Sequence, residues 1–388
     1  MSHDPDKPVD IRPYINFCKA ISIILIAGWH YWGILTWHGN MYLLQKNAVS
    51  GILGRFPVSG FASGLKTFSM MLLALGVDMP HLFIIASGFG LYLSYLNKNE
   101  GWAAFYKKRL LRILPLYWAV VIILYLNKLY APLDGPKVLF YHLLLLQDFT
   151  RYDLAFSALW FVGYIATMYA LFPVLVKFFR TTRLKALLAL ISLSGTFIIE
   201  KTMGMAGYAP QGKLPTLYLS CFVFGMLLAE GTHYRNEFLK KLFSAAYLPV
   251  YSVAAALLLF LINRYDFFGS PQFINIFFVL LVPVLYWVFK LVSFVLPVAQ
   301  KFWNITAYGS YFLFLVHQNL NVVILKYLMR QGIAQYTFIN FSSAVTIASS
   351  PRNVLLEFAI FGSTLLFSLL VQYGYDHAIK SLAKPARA

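Results

Sequence analysis

The chain has 388 residues, of which 60% are hydrophobic and only 12% are charged, and its formal net charge is +18. Its mean hydropathy of +0.68 excludes a soluble globular enzyme and indicates an integral membrane protein. Anchoring to anionic membrane lipids accounts for the excess of lysine and arginine, and no nucleic-acid partner is expected. The polar residues 1–14 lack a signal-peptide pattern, so we expect the first span to be retained.

Apolar stretches of roughly 20 residues, the length that crosses a bilayer, recur along the chain. The candidate spans are residues 15–37, 79–97, 110–127, 154–176, 184–199, 214–230, 242–263, 267–289, 302–325 and 353–375. The spans at 184–199 and 214–230 are short for a full crossing, and 138–147 fits a re-entrant or interfacial segment. We predict an all-α, polytopic transmembrane bundle of about ten spans, forming one domain over residues 1–388.

Basic residues in the short loops predict the orientation of the bundle. With the N-terminus inside, the inner segments hold more lysine and arginine than the outer loops. We therefore expect the N-terminus (1–14) and the basic tail (377–388) to be cytoplasmic, and the chain to be a multi-pass protein of the inner (cytoplasmic) membrane. The two cysteines, Cys18 and Cys221, lie in or beside spans without metal-ligand spacing, so no metal is expected.

The first span carries two ionisable side chains that are unfavourable in lipid, Lys19 and His30, eleven residues apart. At about 100° per residue they return to within about 20° of one helix face, about 16 Å apart along the axis, and are predicted to line one cavity. Lys19 alone is equally well explained as an interface anchor that extends toward water. His30 lies deeper, where an imidazole usually faces a polar interior, and it is suited to remove a proton from a hydroxyl near neutral pH.

A second group of chemically active residues occurs in YKKRLLRILP, residues 106–115. Arg109 and Arg112 are three residues apart, so both guanidinium groups project from one helix face at the predicted cytoplasmic surface. Anchoring at the inner surface explains them without any ligand. The alternative is that the pair forms a fork for the phosphates of a cytoplasmic nucleotide-bearing donor.

Two further spans carry small or polar residues. In VDMPHLFIIASGFGLYL, residues 77–93, Ser87, Gly88 and Gly90 predict a surface that another helix approaches closely, and His81 has an ordinary interfacial explanation. In the span 302–325, a polar patch that includes Ser310 and Tyr311 is followed by His317. Ser310 and His317 share a helix face, so they predict either a buried hydrogen-bond network or a contribution to a site.

At these four places the chain resembles the acyltransferase-3 family of membrane acyltransferases. The resemblance rests on the basic residue followed by histidine in the first span, the arginine pair with its ILP sequence, the SGF sequence, and the late pattern of serine, tyrosine and histidine. Their positions here are Lys19, His30, Arg109, Arg112, Ser87, Ser310, Tyr311 and His317. Ile165 stands where many relatives carry a glutamate, in LWFVGYIATMYALFP.

The resemblance implies an O-acyltransferase that uses acetyl-CoA or another acyl-CoA as donor. It implies that Lys19, Arg109 and Arg112 bind the donor and that His30 is the catalytic base or is itself transiently acylated. The supporting residues are then Ser87, Ser310, Tyr311 and His317. The acceptor is expected to be a hydroxyl of a cell-surface glycan or lipid-linked sugar, as in polysaccharide modification.

A proton-coupled secondary transporter of a small solute is the competing interpretation. Buried histidines and short spans interrupted by glycine are features of such carriers as well. No inverted repeat is apparent in the sequence, and Glu230 and Glu357 lie near the ends of spans rather than at their centres. These observations favour the acyltransferase.

Overall fold

The computed structural model describes residues 10–30, 42–98, 101–126, 136–147, 159–205, 216–330 and 351–382. Parts of several predicted segments lie outside these residues, and the structure does not test them. They are the start of the N-terminal segment (1–9), the end of the first span (31–37), the last residue of the third (127), the starts of the fourth (154–158) and sixth (214–215), and the end of the tail (383–388).

The described residues are helical, with short turns and no strand among them. The α-helices are α1 (Arg12–Gly28), α2 (Ala48–Arg55), α3 (Phe61–Leu75), α4 (Pro80–Asn97), α5 (Trp102–Leu126), α6 (Pro136–Leu143), α7 (Trp160–Phe178), α8 (Thr182–Met205), α9 (Leu219–Tyr234), α10 (Glu237–Leu242), α11 (Leu248–Arg264), α12 (Pro271–Val295), α13 (Val298–Arg330) and α14 (Pro351–Leu382). The all-α prediction is confirmed for this part of the chain.

A helix overlaps each of the ten predicted spans, but the sequence prediction missed α3. This segment has the length and composition of a membrane span from Phe61 to Asp78. Lys66 and several glycine, serine and threonine residues interrupt its apolar sequence, and for that reason it resembled part of a loop. Residues 138–147, predicted to be re-entrant or interfacial, contain most of the short helix α6.

Six segments in the described part of the chain are long and apolar enough to cross a membrane. They are Phe61–Asp78, Trp102–Leu126, Trp160–Phe178, Thr182–Ile199, Ala245–Arg264 and Pro271–Val295. Two other helices are shorter than these six segments. Helix α9 has 16 residues, and α1 has 17 and continues through Trp29 and His30. The protein is therefore an all-helical membrane protein.

The centre of the bundle is formed by α1, α4 and α13. Helix α1 packs against both α4 and α13, while α4 packs closely on α9 and α13 packs on α14. Helix α5 contacts α7, and α14 packs on α13. Residues of α5, α7 and α14 complete the wall of the region between α1, α4 and α13. This arrangement brings the four sequence motifs into one part of the bundle.

Two glycines allow α4 and α9 to approach closely. A Cβ atom on Gly88 would lie 2.2 Å from the carbonyl oxygen of Phe222, and one on Gly225 would lie 2.1 Å from that of Ile85. Close contact between helix backbones is how small residues stabilise helix pairs in lipid. The predicted packing role is confirmed for Gly88. Gly90 has no atom within 4 Å of such a Cβ and instead lines a cavity.

We expect Gly88→Ala to destabilise the protein, because the added methyl group meets a backbone carbonyl that cannot move alone. Overpacking of this kind costs about 1–3 kcal/mol. The matched control is Gly90→Ala, whose methyl group has free space. Thermal unfolding in detergent should show a lower midpoint for Gly88→Ala alone, and equal midpoints for the two variants would contradict the close approach of α4 and α9.

Candidate active site

A cavity of about 170 Å³ lies between α1, α4, α5, α7, α13 and α14. Most of the residues that the sequence singled out line this one cavity. They are Lys19, Ser87, Arg109, Arg112, Ser310 and Tyr311. The structure thus brings together residues from four separate helices, and Lys19 lies with the two arginines.

The cavity is strongly cationic. None of its described lining residues is an aspartate or a glutamate, although Lys19, Arg109 and Arg112 are all among them. Asp376 accepts a hydrogen bond at 3.0 Å from the lining residue Gln372 but does not line the cavity itself. Three cations that line one cavity favour an anionic ligand, because together they attract negative charge and can donate several charge-assisted hydrogen bonds to it.

Two tyrosines fix the arginine-bearing end of α5 against the later helices. Pro115 lacks an N–H, so the carbonyl of Leu111, four residues earlier, loses its helical donor. The hydroxyl of Tyr375 on α14 donates to this carbonyl. The hydroxyl of Tyr311 on α13 donates to the carbonyl of Ile113 at 2.8 Å. The ILP sequence therefore creates the acceptor that holds α5, and with it Arg112, in place.

The segment that carries Lys19 is held at its N-terminal end. The buried hydroxyl of Tyr14 donates to the carbonyl of Val282 at 2.6 Å, and Asn16 donates to the side chain of Asn304 at 2.9 Å. Arg12, the first residue of α1, hydrogen-bonds to Asp10 and holds the pKa of that carboxyl below its usual value. These contacts position the start of α1 against α12 and α13.

The hydroxyl groups of Ser87 and Ser310 are engaged within their own helices. Ser87 donates to the carbonyl of Phe83 at 2.9 Å, and Ser310 donates to that of Ala307 at 2.7 Å. Their small side chains shape the cavity wall between the larger cationic and aromatic groups. Each hydroxyl oxygen still has lone pairs with which to accept a hydrogen bond from a ligand.

The two predicted histidines form a pair away from this cavity. The Nε2 atom of His317 lies 3.1 Å from Nδ1 of His30, and the ring centroids are 4.8 Å apart. His317 is completely buried. Trp29 and His30 form a π-type turn at the end of α1, a deformation that is frequent at functional sites. The contact joins the first span to α13 across 287 positions in sequence.

The hydrogen-bond partners assign the tautomers of the pair. Nδ1 of His317 faces the carbonyls of Phe314 at 2.9 Å and Leu313 at 3.2 Å, so it carries the proton and Nε2 is an acceptor. Nδ1 of His30 faces this acceptor and the carbonyl of Ile26 at 2.9 Å, so it too carries the proton. The remaining nitrogen of His30, Nε2, then holds the lone pair that a general base requires.

Three phenylalanines lie between the cavity and the histidine pair. Phe83 and Phe161 line the cavity, and their ring centroids are 5.4 Å apart. The ring of Phe314 lies 4.8 Å from that of Phe161 and 5.7 Å from that of His317. The described lining of this cavity includes Lys19 but not His30, and aromatic rings lie between the cavity and His317.

His81, for which the sequence gave an interfacial explanation, lies near the start of α4. It is buried, its ring lies parallel to that of Phe278 at 4.7 Å, and its Nδ1 donates to the carbonyl of Asp78 at 2.6 Å. The ring of Tyr218 packs against it edge-on. The sequence placed His81 correctly near a helix end, but it gave no sign of the aromatic residues that cover it.

Sequence reasoning missed several residues of the site. Tyr169, Tyr308 and Gln372 line the cavity, as does Ile165 at the position of the relatives' glutamate. None of the three polar residues belongs to a recognisable motif. Tyr169 could have been predicted from helical spacing, because it follows Ile165 by four residues and so lies one turn along the same helix face. The others required knowledge of how α13 and α14 pack.

The family model for the acyltransferase domain (Acyl_transf_3) matches residues 12–373 of this chain. Comparison with curated proteins and with solved structures gives no match. The matched region includes every cationic residue of the cavity and both members of the histidine pair. The chain belongs to the acyltransferase-3 family and is a membrane acyltransferase.

Proposed function

We propose that the protein transfers an acetyl or other short acyl group from cytoplasmic acyl-CoA to a hydroxyl of a cell-surface glycan or lipid-linked sugar. The observation that carries this proposal is the convergence of Lys19, Arg109 and Arg112 on a cavity whose described lining contains no carboxylate. CoA offers several phosphate groups, and guanidinium groups bind phosphate through paired hydrogen bonds.

The donor enters at the end of the bundle that carries the basic residues Lys107 and Lys108 in the first half of α5. This end corresponds to the cytoplasmic side of the inner membrane in the orientation expected from the loop charges. The phosphates lie against Lys19, Arg109 and Arg112, and the pantetheine arm extends toward the phenylalanine layer. From Lys19 to His30 along α1 is about 16 Å, so the arm must carry the thioester past this layer.

His30 is the catalytic base in this scheme. Its Nε2 takes the proton from the acceptor hydroxyl as the oxygen attacks the thioester carbonyl; the carbon–sulfur bond then breaks and CoA leaves as the thiol after taking up that proton. The protonated ring keeps its Nδ1–H bonds to Ile26 and His317, which stabilise the positive charge. An acyl-histidine intermediate on His30 is the second route compatible with the same residues.

Transfer is tested with purified protein in lipid nanodiscs, supplied with radiolabelled acetyl-CoA and a panel of cell-envelope glycans. We expect CoA release together with label on a glycan.

The histidine pair is also suited to a proton-coupled transporter, which remains the alternative function. If no donor is consumed and CoA does not bind, proton-linked uptake of small solutes in proteoliposomes tests that alternative.

We expect His317→Ala to lower kcat about 10- to 100-fold with an unchanged KM for acetyl-CoA. His317 acts as a positioning residue, because its Nε2 accepts a hydrogen bond from Nδ1–H of His30 and so fixes the tautomer of that ring. His317→Gln retains an acceptor oxygen and should recover part of the loss. The pH profile of kcat should also shift in His317→Ala, since protonated His30 loses a partner. An unchanged kcat and pH profile would contradict this role.

A further inference from the structure

We infer that a second cavity beside the arginine pair binds the adenosine 3′-phosphate end of the donor. This inference rests on the proposed use of acyl-CoA. The first cavity is too small to hold the whole donor, and the second cavity is assigned to the adenosine end. The second cavity has a volume of about 470 Å³. Its walls come from α4, α5, α7 and the residues just after α7.

Stacked aromatic rings form one wall of this cavity. The rings of Tyr95 and Trp102 are 5.6 Å apart and inclined by 16°, and those of Tyr92 and Tyr95 are 6.1 Å apart and inclined by 13°. Trp102 is 40% exposed, so part of the stack is accessible. A nearly parallel stack that ends in an accessible indole is a suitable surface for a planar base.

Two cations also line this cavity. Lys177 lies in the last turn of α7 and Arg180 follows it, and both line the cavity with the aromatic residues. The described lining residues contain no aspartate or glutamate. An aromatic surface for a base next to a lysine and an arginine for a phosphate fits a nucleotide with a free phosphate on its ribose.

The same helices, α5 and α7, contribute residues to both cavities. On α5, Trp102 lines the second cavity and Arg109 lines the first, and the guanidinium of Arg109 lies over Phe105, one turn from Trp102. On α7, Tyr169 lines the first cavity and Pro173 the second. Trp102 and Arg109 are about 10 Å apart along the axis, a distance that a ribose and two phosphates cover. A donor with its pyrophosphate at the arginines therefore places its base at Trp102.

Aromatic belts and basic anchors also occur at ordinary membrane interfaces, so geometry must distinguish the two explanations. An interfacial belt presents its rings separately toward lipid headgroups. Here the rings stack on one another, and the ring of Phe172 contacts those of Tyr95, Trp102 and Phe105. The cations face the same concave space. Stacking, concavity and charge together favour a nucleotide over a lipid headgroup.

Three donors test the site: acetyl-CoA, its 3′-dephospho form, and acetyl-phosphopantetheine, which lacks the adenosine. We expect Trp102→Leu to raise KM for acetyl-CoA about 10-fold and to leave KM for acetyl-phosphopantetheine unchanged. The double variant of Lys177→Gln and Arg180→Gln should raise KM for acetyl-CoA but not for the dephospho form. Adenosine 3′,5′-bisphosphate should compete with acetyl-CoA and lose affinity in both variants. Lys107→Gln, outside both cavities, is the matched control.

The outcomes separate this site from the proposed function. If wild type consumes acetyl-CoA but the variants affect all three donors equally, the adenosine site is wrong and the acyl-CoA reaction stands. If these equal effects depend on the anionic lipid content of the nanodisc, the second cavity binds a lipid phosphate. If wild type consumes no donor and the bisphosphate does not bind, both proposals are overturned.

Discussion

We expect His30→Ala to abolish acyl transfer, with a loss in kcat of about 10²- to 10⁴-fold, the range that a general base contributes. The reason is that Nε2 of His30 is the nitrogen left with a lone pair once the partners of the histidine pair are assigned. The arginine cavity does not include His30, so the affinity for acyl-CoA should remain unchanged. Steady-state transfer and equilibrium CoA binding, measured on the same preparation, check both parts.

The matched control is His81→Phe. His81 is another buried histidine in the bundle, and its parallel contact with Phe278 is retained by a phenylalanine. We expect this variant to keep the wild-type kcat, because the ring of His81 packs on Phe278 and Tyr218 and is not part of the proposed base. Normal transfer by His30→Ala would contradict the assignment of the base. Equal losses in both variants would indicate that any buried histidine is needed for folding.

The second large effect is expected for Arg112→Gln, which should raise KM for acetyl-CoA about 10- to 100-fold and leave kcat nearly unchanged. A hydrogen bond to a charged group contributes about 1.5–3 kcal/mol, and loss of uniform binding appears in KM. Acetyl-N-acetylcysteamine, a thioester without phosphates, provides the sharper comparison. With this donor the variant and the wild type should react at the same rate, because the missing charge has no phosphate to bind.

Lys107→Gln controls for the loss of positive charge at the same helix end. Lys107 is exposed and does not line the cavity, so its removal should leave KM for acetyl-CoA unchanged. If Lys107→Gln and Arg112→Gln raise KM equally, the effect comes from the general surface charge. If Arg112→Gln slows the phosphate-free donor as much as acetyl-CoA, Arg112 does not bind phosphate.

The parts of the fold that sequence predicted are those encoded in local composition. Long apolar stretches gave the helices, and the spacing of Arg109 and Arg112 correctly placed both guanidinium groups at one site. The small residues around Gly88 gave the close packing of α4. Helix α3 was missed because Lys66 and its small polar neighbours lower the apolar content that defines a span.

The parts that sequence did not predict depend on contacts between distant helices. Helical spacing within α1 relates Lys19 to His30, but it gives no information about His317, which reaches His30 from α13. The phenylalanine layer has the same origin, because Phe83, Phe161 and Phe314 come from three helices and none belongs to a chemical motif. The face of α1 therefore related Lys19 to His30 but gave no information about the rings that lie between the cavity and His317.

The proposed function uses a cytoplasmic donor and a cell-surface acceptor, so the two substrates should reach the bundle from opposite sides of the membrane. Sidedness in proteoliposomes tests this most directly. Both native cysteines are buried, so maleimide labelling of Lys107→Cys reports which way the arginine end faces. We predict transfer only when acetyl-CoA is supplied on the side of that label and a glycan acceptor on the other. Transfer with acetyl-CoA supplied only on the opposite side would contradict the account.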